Sequence, residues 1–130
     1  MKKILLIEDE QILHLNVLNL LIENGFNTLI TESSEMGLFV AREIVPDAIL
    51  CNVNNPKLDA YKMLKQFRHD PVTATIPFIF ITAQTTKAEV SIRQQQEADI
   101  YLTQPFTSKE LLGAIANLLE SECRSMQSCL

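Results

Sequence analysis

The sequence predicts an α/β fold in which a doubly wound, five-stranded parallel sheet is covered by five helices. Short apolar runs of strand length alternate along the chain with longer segments of helical periodicity. Three of these runs are nearly continuous rather than alternating, which is typical of strands that a parallel sheet buries on both faces. Strand–helix units in series connect parallel strands by right-handed crossovers, and this predicts the doubly wound arrangement.

Local signals bound the predicted elements. The strands are predicted at 3–7, 28–31, 47–51, 77–81 and 99–102, and the helices at 11–24, 34–44, 58–68, 85–96 and 108–121. Gly25 follows the first helix, where a left-handed cap is needed. Before the last helix, Thr107 and Glu110 have the spacing of a capping box. Phe106 and Leu111 have the spacing of a hydrophobic staple across the same helix start.

Several residues are assigned to the core by their pattern. Met36, Met63 and Leu64 recur at helical spacing and are expected to be buried. Cys51 lies within the apolar run at 47–51 and is interpreted as a small core residue. The chain has three cysteines, and an odd number fits reduced thiols better than a disulfide framework.

Length and charge limit the classes of function. The 130 residues fit one domain, predicted over 1–122 and followed by a loosely ordered polar tail at 123–130. The net charge of −5 argues against nucleic-acid binding, which needs a basic surface. The apolar runs are much shorter than a membrane span, and acidic residues follow the basic start too soon for a signal peptide. We therefore expect a cytoplasmic protein.

Acidic residues collect after the first predicted strand, in the turn formed by Glu8, Asp9 and Glu10. Sites in doubly wound sheets form beyond the carboxyl ends of the strands. A nucleotide or flavin site would have glycines in this turn, and three acids would repel a bare phosphate. Such acids suit a divalent cation such as Mg²⁺. The alternative is that they only favour the helix N-terminus through its dipole, which we prefer for Glu10.

Four motifs in order carry a resemblance to a known family, namely LLIEDE, PDAILCNVNNPKLDAYKML, IPFIFITA and ADIYLTQPFTSKELL. Over residues 2 to about 121, the chain resembles the receiver domains of bacterial two-component response regulators. The resemblance implies the flavodoxin-like receiver fold with strand order 2-1-3-4-5. It also implies Mg²⁺ at the site and a histidine kinase as the phosphoryl donor.

The resemblance assigns roles to individual residues. Glu8 and Asp9 match the acid pair that helps to hold Mg²⁺, with Asp9 as the direct ligand. Thr82 matches the switch hydroxyl after the fourth strand, and Tyr101 matches the aromatic residue whose rotamer follows that switch. Pro105 matches a proline that the family holds in the cis form.

Two essential positions depart from the family. Asn52 stands where the phosphoacceptor aspartate belongs, and Gln104 stands where a lysine binds the phosphoryl oxygens. An amide is not a useful nucleophile toward phosphorus, and a glutamine supplies no positive charge. Because one anion and one cation are lost together, the net charge of the pocket is unchanged, so we infer that the two positions changed together.

A weak Mg²⁺ site is compatible with these changes. Glu8, Asp9, the side-chain oxygen of Asn52 and the backbone carbonyl of Asn54 can still point at one place. With fewer anionic ligands, we expect a lower affinity than in an active receiver, and the residues leave open whether metal binds at cellular concentrations. No cofactor is expected to be required.

The first helix carries two apolar stripes. The stripe expected to face the sheet consists of Leu13, Val17, Leu20 and Leu21. Leu15, Leu18 and Ile22 form a second stripe roughly opposite. This second stripe predicts a contact with a histidine kinase or another signalling regulator, or a homodimer. The alternative is that the last helix covers it.

Together these observations predict a degenerate receiver, or pseudo-receiver, that is not an enzyme. It would act in a bacterial phosphorelay as a protein-binding module that does not depend on phosphorylation. The alternative is a conventional phosphoacceptor, if Asn52 is artefactual or another residue accepts the phosphoryl group. A nucleotide- or flavin-binding enzyme is disfavoured by the missing glycine-rich loop.

Overall fold

The computed structural model of the chain describes residues 2–8, 11–52, 60–82, 100–103 and 106–128. Within these ranges, strands and helices alternate as the sequence predicts. The strands are β1 (Lys3–Ile7), β2 (Asn27–Thr31), β3 (Ala48–Asn52), β4 (Phe78–Thr82) and β5 (Ile100–Thr103). The helices are α1 (Gln11–Glu23), α2 (Ser34–Ile44), α3 (Ala60–His69) and α4 (Ser108–Ser128). The predicted helix at 85–96 lies outside the described residues.

The described strands form one parallel sheet in the order β2-β1-β3-β4-β5. Ile7 of β1 lies opposite Cys51 of β3. Asn52, the last residue of β3, lies opposite Ile81 of β4. The parallel α/β arrangement and the predicted strand order are confirmed. The direction of winding reverses between β1 and β3, which makes the carboxyl ends of these two strands the topological switch point.

The sheet is buried on both faces. Leu5 and Ile7 of β1 pack in one core cluster with residues of α2 and α3. Ile4 and Leu6 pack in a second cluster with residues of α1 and α4. Because alternate residues are buried on opposite faces, the buried part of the strand has to be apolar throughout, as the sequence from Ile4 to Ile7 is. Cys51 is fully buried, as expected for a core residue.

The end of α1 has the predicted left-handed cap. Gly25 has φ +86°. Its N–H donates to the carbonyl of Ile22 at 3.1 Å, and the N–H of Phe26 donates to the carbonyl of Leu21 at 3.0 Å. These two bonds define a Schellman motif, which satisfies carbonyls that the helix end would otherwise leave without partners.

The start of α4 has the predicted capping box. The N–H of Glu110 donates to Oγ1 of Thr107 at 3.0 Å, and the N–H of Thr107 donates back to Oε1 of Glu110 at 3.4 Å. Phe106 and Leu111 pack in the same core cluster, as a hydrophobic staple requires.

The helix α4 continues to Ser128, so residues 123–128 are helical where the sequence led us to expect loose order. Residues 114–128 contain neither glycine nor proline, and no backbone signal ends the helix earlier. Although α4 is the longest of the described helices, neither it nor the others combine the length and apolar character that a membrane span requires.

The buried side of α2 differs from the prediction. Met36 was expected in the core and is 52% exposed, whereas Met63 and Leu64 of α3 are buried as predicted. Gly37 faces the sheet instead. A Cβ atom at Gly37 would lie only 2.8 Å from Cδ1 of Ile7, so the glycine allows α2 to approach β1 closely. This close approach fixes the rotation of α2 and turns Met36 outward.

The last turn of α2 ends on a strained residue. Val45 has φ 45° and ψ 72°, in the left-handed region, and its N–H donates to the carbonyl of Ala41 at 2.9 Å. A β-branched residue is unfavourable in this region because its Cβ crowds the backbone. Pro46 follows and prevents the helix from continuing.

Side chains fix the connection between α3 and β4. The buried hydroxyl of Thr73 donates to the carbonyl of Phe67 in the last turn of α3, at 2.7 Å. Nη1 of Arg68 donates to the carbonyls of Ala74 at 3.2 Å and Ile76 at 2.7 Å. Helix α3 is thereby held against the amino end of β4, at the sheet edge opposite the switch point.

Candidate functional site

The carboxyl ends of the strands meet at one edge of the sheet. Glu8 directly follows β1, Asn52 ends β3 and Thr82 ends β4. Thr82 is paired with Thr103, so β4 and β5 end at the same level. The backbone positions of these predicted site residues therefore lie along a single edge, and Glu8 and Asn52 lie on the two sides of the topological switch point.

Glu8 is the buried acid of this edge. It is 1% exposed, and within the described ranges it is the one charged residue that is buried. Its backbone N–H donates to the carbonyl of Thr31 at 3.0 Å, which ties the turn after β1 to the end of β2. An acid that only complemented a helix dipole would remain in water, because burial of a carboxylate costs free energy. The burial of Glu8 therefore favours its assignment to a functional site over a role in complementing the dipole of α1.

Thr31 was not singled out from the sequence. It is 6% exposed and ends β2, whose register with β1 pairs it with Ile7, the residue before Glu8. Thr31 could have been identified from the predicted strands, since the last residue of each parallel strand lies at the same edge of the sheet.

Cys51 lies beside the same edge, one residue before Asn52. Burial raises the pKa of the Cys51 thiol far above its ordinary value, and the negative charge of Glu8 raises it further. A thiol that stays protonated is a poor nucleophile and a poor metal ligand. Cys51 is thus an unreactive core residue, and its raised pKa shows that the negative charge of Glu8 acts on the end of β3.

The described structure gives the backbone positions of Asn52, Thr82 and Tyr101 but not their side-chain positions. Tyr101 of β5 is paired with Phe80 of β4, two residues before Thr82. This register puts the predicted switch residue and the predicted aromatic residue on neighbouring strands. The predicted site residues that lie outside the described ranges are Asp9, Asn54, Gln104 and Pro105.

The oxygen donors for a cation are described only in part. Glu8 contributes one buried carboxylate at the edge of the sheet. Across the residues that the structure describes, no three His, Cys, Asp or Glu side chains converge on a metal position. The carboxylate of Glu8 has the chemistry that Mg²⁺ prefers, and the other predicted ligands are Asp9, Asn52 and Asn54.

The two stripes of α1 differ in burial. Val17 is 3% exposed and Leu21 is fully buried, as predicted for the stripe that faces the sheet. Ile22 is 55% exposed, and Leu18 is partly exposed. The core cluster that α4 joins includes Leu20 but neither of these two. Ile22 therefore remains open to solvent, and the side chain of Leu15 is not described.

Comparisons with known sequences point to one family. The model of the response regulator receiver domain matches residues 4–116. The chain is 28% identical over 119 residues to protein PilH of Pseudomonas aeruginosa, and the match covers 92% of this chain and 98% of PilH. It is 33% identical over 119 residues to the transcriptional regulatory protein CpxR of Klebsiella pneumoniae, which covers 92% of this chain and 50% of CpxR.

Some relatives are much longer than this chain. It is 28% identical over 121 residues to histidine kinase P4 of Formosa agariphila, of which it covers 9%. The chain therefore spans about half the length of CpxR and a small part of the kinase.

Solved structures show the same fold. A response regulator receiver domain protein from Clostridium thermocellum is 27% identical with a TM-score of 0.82, over 94% of this chain and 97% of that chain. The receiver domain of sensor histidine kinase PA1611 from Pseudomonas aeruginosa is 24% identical with a TM-score of 0.84, over 92% of this chain and 98% of that chain. That structure has a magnesium ion coordinated in its active-site cleft. Since the family model matches most of the chain and the fold agrees, this chain belongs to the response regulator receiver domain family.

Proposed function

We propose that this receiver domain acts in two-component signalling as a protein-binding module that does not depend on phosphorylation at position 52. The observation that carries the proposal is the residue type at the end of β3, where Asn52 takes the place of the family's aspartate. An aspartate forms an acyl phosphate through its carboxylate oxygen, and an asparagine amide does not. The domain therefore keeps the receiver fold without its acceptor.

The charges at the edge support the same proposal. The pKa of the Cys51 thiol is raised mainly by burial and further by the charge of Glu8, so the negative potential of Glu8 extends toward the end of β3. A phosphoryl group brought to this edge would add more negative charge. Gln104 supplies no cation to offset it. A phosphoryl group on an alternative acceptor would thus lack the lysine that binds its oxygens in the family.

A weakly bound Mg²⁺ belongs to this proposal as an accessory and not as a requirement. Glu8, Asp9, Asn52 and Asn54 would hold the ion, as the receiver domain of PA1611 holds one in its cleft. The ion would supply positive charge that neutralises the buried carboxylate. The loss of one anionic ligand at position 52 lowers the affinity relative to a receiver that has an aspartate there.

The surface of α1 is the proposed contact for a signalling partner in the bacterial cytoplasm, such as a histidine kinase or another regulator. Ile22 is 55% exposed and Leu18 is partly exposed, on the side of the helix away from the core. Leu15 has the spacing to continue this stripe. An apolar stripe on a surface helix is the kind of surface that a partner helix covers, either in a heterologous complex or in a homodimer.

Intact-mass spectrometry after incubation with Mg²⁺ and acetyl phosphate tests the missing acceptor. We expect the native chain to stay unmodified, and the Asn52→Asp, Gln104→Lys double variant to gain one phosphoryl mass. Asn27→Asp is the matched control, because it creates a carboxylate at the exposed amino end of β2, far from the switch point. A phosphoryl mass on the native chain would show that another residue is the acceptor, and the proposal would then be wrong.

A further inference from the structure

Large apolar side chains are exposed on the outer side of α2. Phe39 is 62% exposed and Met36 is 52% exposed. The two residues are three positions apart and therefore lie on the same side of the helix. Gly37 and Ala41, which are buried, define the opposite side. A pair of large apolar side chains that faces water on one helix is a candidate contact surface.

This surface continues into an open groove of about 230 Å³ between α2 and the α3–β4 connection. Its lining consists of Phe39, Arg42, Glu43 and Val72. Val72 is 42% exposed, so both apolar walls of the groove are accessible. The groove has the size to admit one bulky side chain rather than a small-molecule cofactor, since ligand pockets begin at roughly 300 Å³.

The groove is held in shape by one carboxylate. Oδ2 of Asp70 binds Nε of Arg42 at 3.1 Å, and Oδ1 of the same residue accepts the N–H of Val72 at 2.9 Å. The side chain of Asp70 is 15% exposed and that of Arg42 is 58% exposed. Asp70 thus connects the two walls of the groove through one ion pair and one hydrogen bond.

The neighbouring helix gives this surface a charge. Helix α3 has the sequence AYKMLKQFRH, with three cationic residues, one histidine and no acid, in a chain of net charge −5. Lys62, Lys65 and His69 recur at helical spacing and are exposed. The residues on the opposite side of α3 that pack in the core are Met63, Leu64 and Phe67.

We propose that the outer surface of α2 and α3 docks a partner helix that is apolar along one side and acidic along the adjacent side. A bulky side chain of the partner enters the groove between Phe39 and Val72. Its carboxylates lie along Lys65 and His69, where a basic helix on an acidic protein provides complementary charge. This inference goes beyond the proposed function and does not depend on the chemistry of Asn52.

The α2–α3 surface and the α1 surface lie on opposite faces of the sheet. Helices α2 and α3 contribute to one core cluster, and α1 and α4 contribute to the other. A partner on α2 and α3 therefore leaves Leu18 and Ile22 free for a second protein. The domain would then bridge two partners.

A designed peptide provides the probe. The peptide is a helix of about 18 residues, or about five turns, with blocked termini. It has leucines along one side and glutamates along the adjacent side. A second peptide has lysine in place of each glutamate. Nitrogen–proton correlation spectra of the full chain are recorded during titration with each. We expect shifts from the glutamate peptide confined to residues 35–45 and 62–72, and weaker binding at higher salt.

Variants connect the binding to the named residues. Phe39→Gln and Val72→Asn test the two walls, and each is expected to weaken binding by about tenfold. Both residues are exposed, so the variants are expected to fold, and either one alone tests the groove. Lys65→Glu is expected to weaken binding and to reduce its salt dependence. Asn19→Glu, at an exposed position of α1 on the opposite face of the sheet, is the matched control and is expected to leave binding unchanged.

Four results would overturn the proposal. In the first, the lysine peptide binds as well as the glutamate peptide. In the second, the shifts map to α1 or α4. In the third, the groove variants bind the glutamate peptide normally. In the fourth, sedimentation shows that the chain alone forms a dimer that Phe39→Gln dissociates, so that a second copy and not an acidic partner occupies the surface.

Discussion

The Cβ position of Gly37 lies 2.8 Å from Cδ1 of Ile7, so a side chain at position 37 requires the buried side chain of Ile7 to shift. Gly37→Ala should therefore lower the free energy of unfolding. Overpacking of a core costs about 1–3 kcal/mol, which equals or exceeds the gain of about 0.5–1 kcal/mol that alanine brings to a helix. Urea unfolding monitored by circular dichroism measures the difference.

Gly113→Ala is the matched control for this substitution. Gly113 lies within α4 and is exposed, and a Cβ atom there would meet nothing within 4 Å. The same change should thus raise the stability by roughly 0.5–1 kcal/mol, through helix propensity alone. Equal stabilisation by both substitutions would mean that Ile7 moves aside and that the close approach of α2 has no energetic consequence.

Val45→Gly should stabilise the protein. Val45 has φ 45° at the end of α2 and is 51% exposed, so little packing is lost when its side chain is removed. The left-handed conformation costs a non-glycine residue about 1–2 kcal/mol, and the greater freedom of glycine in the unfolded chain offsets part of the gain. We expect a net gain of about 0.5–1 kcal/mol in thermal or urea unfolding. A loss of stability would show that the valine makes packing contacts that outweigh the strain.

Thr73→Val should destabilise the protein more than Thr73→Ser does. Thr73 is fully buried and its hydroxyl donates to the carbonyl of Phe67 at 2.7 Å. Valine keeps the shape but leaves that carbonyl without its partner, which costs about 1–3 kcal/mol. Serine keeps the hydrogen bond and loses one buried methyl group, worth about 0.8 kcal/mol. If the valine variant is the more stable of the two, the hydrogen bond contributes less than the methyl group.

Leu21→Lys should unfold the protein, whereas Ile22→Lys should leave its stability within about 0.5 kcal/mol. The two residues are adjacent in α1, and Leu21 is fully buried while Ile22 is 55% exposed. A lysine at position 21 would bury an unpaired charge, and the lysine at position 22 would lie in water. Comparable destabilisation by both would identify Ile22 as part of the core and would contradict its role in a contact surface.

Stability should fall in alkaline solution because of Cys51. Its thiol pKa is raised in the folded state, first by burial and second by Glu8. Below about pH 8.5 the thiol is protonated in both the folded and the unfolded chain, so Cys51 does not make the free energy of unfolding depend on pH. Above that pH, the unfolded chain releases a proton that the folded chain retains, so stability decreases by about 1.4 kcal/mol per pH unit.

Comparison of the native chain with Cys51→Ala isolates this effect, because alanine does not titrate. The native chain should lose stability more steeply between pH 9 and pH 10. Glu8→Gln should keep most of the slope, since burial is the larger cause of the raised pKa. Parallel curves for the native chain and Cys51→Ala would contradict the assignment.

The sheet could be predicted from sequence because a strand that is buried on both faces has a nearly continuous apolar sequence. The strand β1 is apolar from Ile4 to Ile7, and glycine and capping residues mark the helix ends. The rotation of α2 could not be predicted from the same pattern. Met36 is apolar and lies at helical spacing, but the contact between Gly37 and Ile7 decides which side of the helix is buried. Helical periodicity alone does not specify a three-dimensional contact of this kind.

The candidate site was predictable to a similar degree. The acid at Glu8 and the amide at Asn52 follow from the residues that end the strands. The burial of Glu8, its hydrogen bond to Thr31 and its effect on Cys51 depend on strand neighbours that are distant in sequence. The left-handed Val45 carries no sequence signal, since the residue that best fits this backbone is glycine.

The hydrogen bond from the N–H of Glu8 to the carbonyl of Thr31 joins two connections that belong to different β/α units. Oγ1 of Thr31 lies in turn 3.5 Å from the Cβ position of Gly37. The end of β2 thus contacts both Glu8, which follows β1, and the first turn of α2. A side chain introduced at position 37 would therefore contact the same residue that accepts the N–H of Glu8.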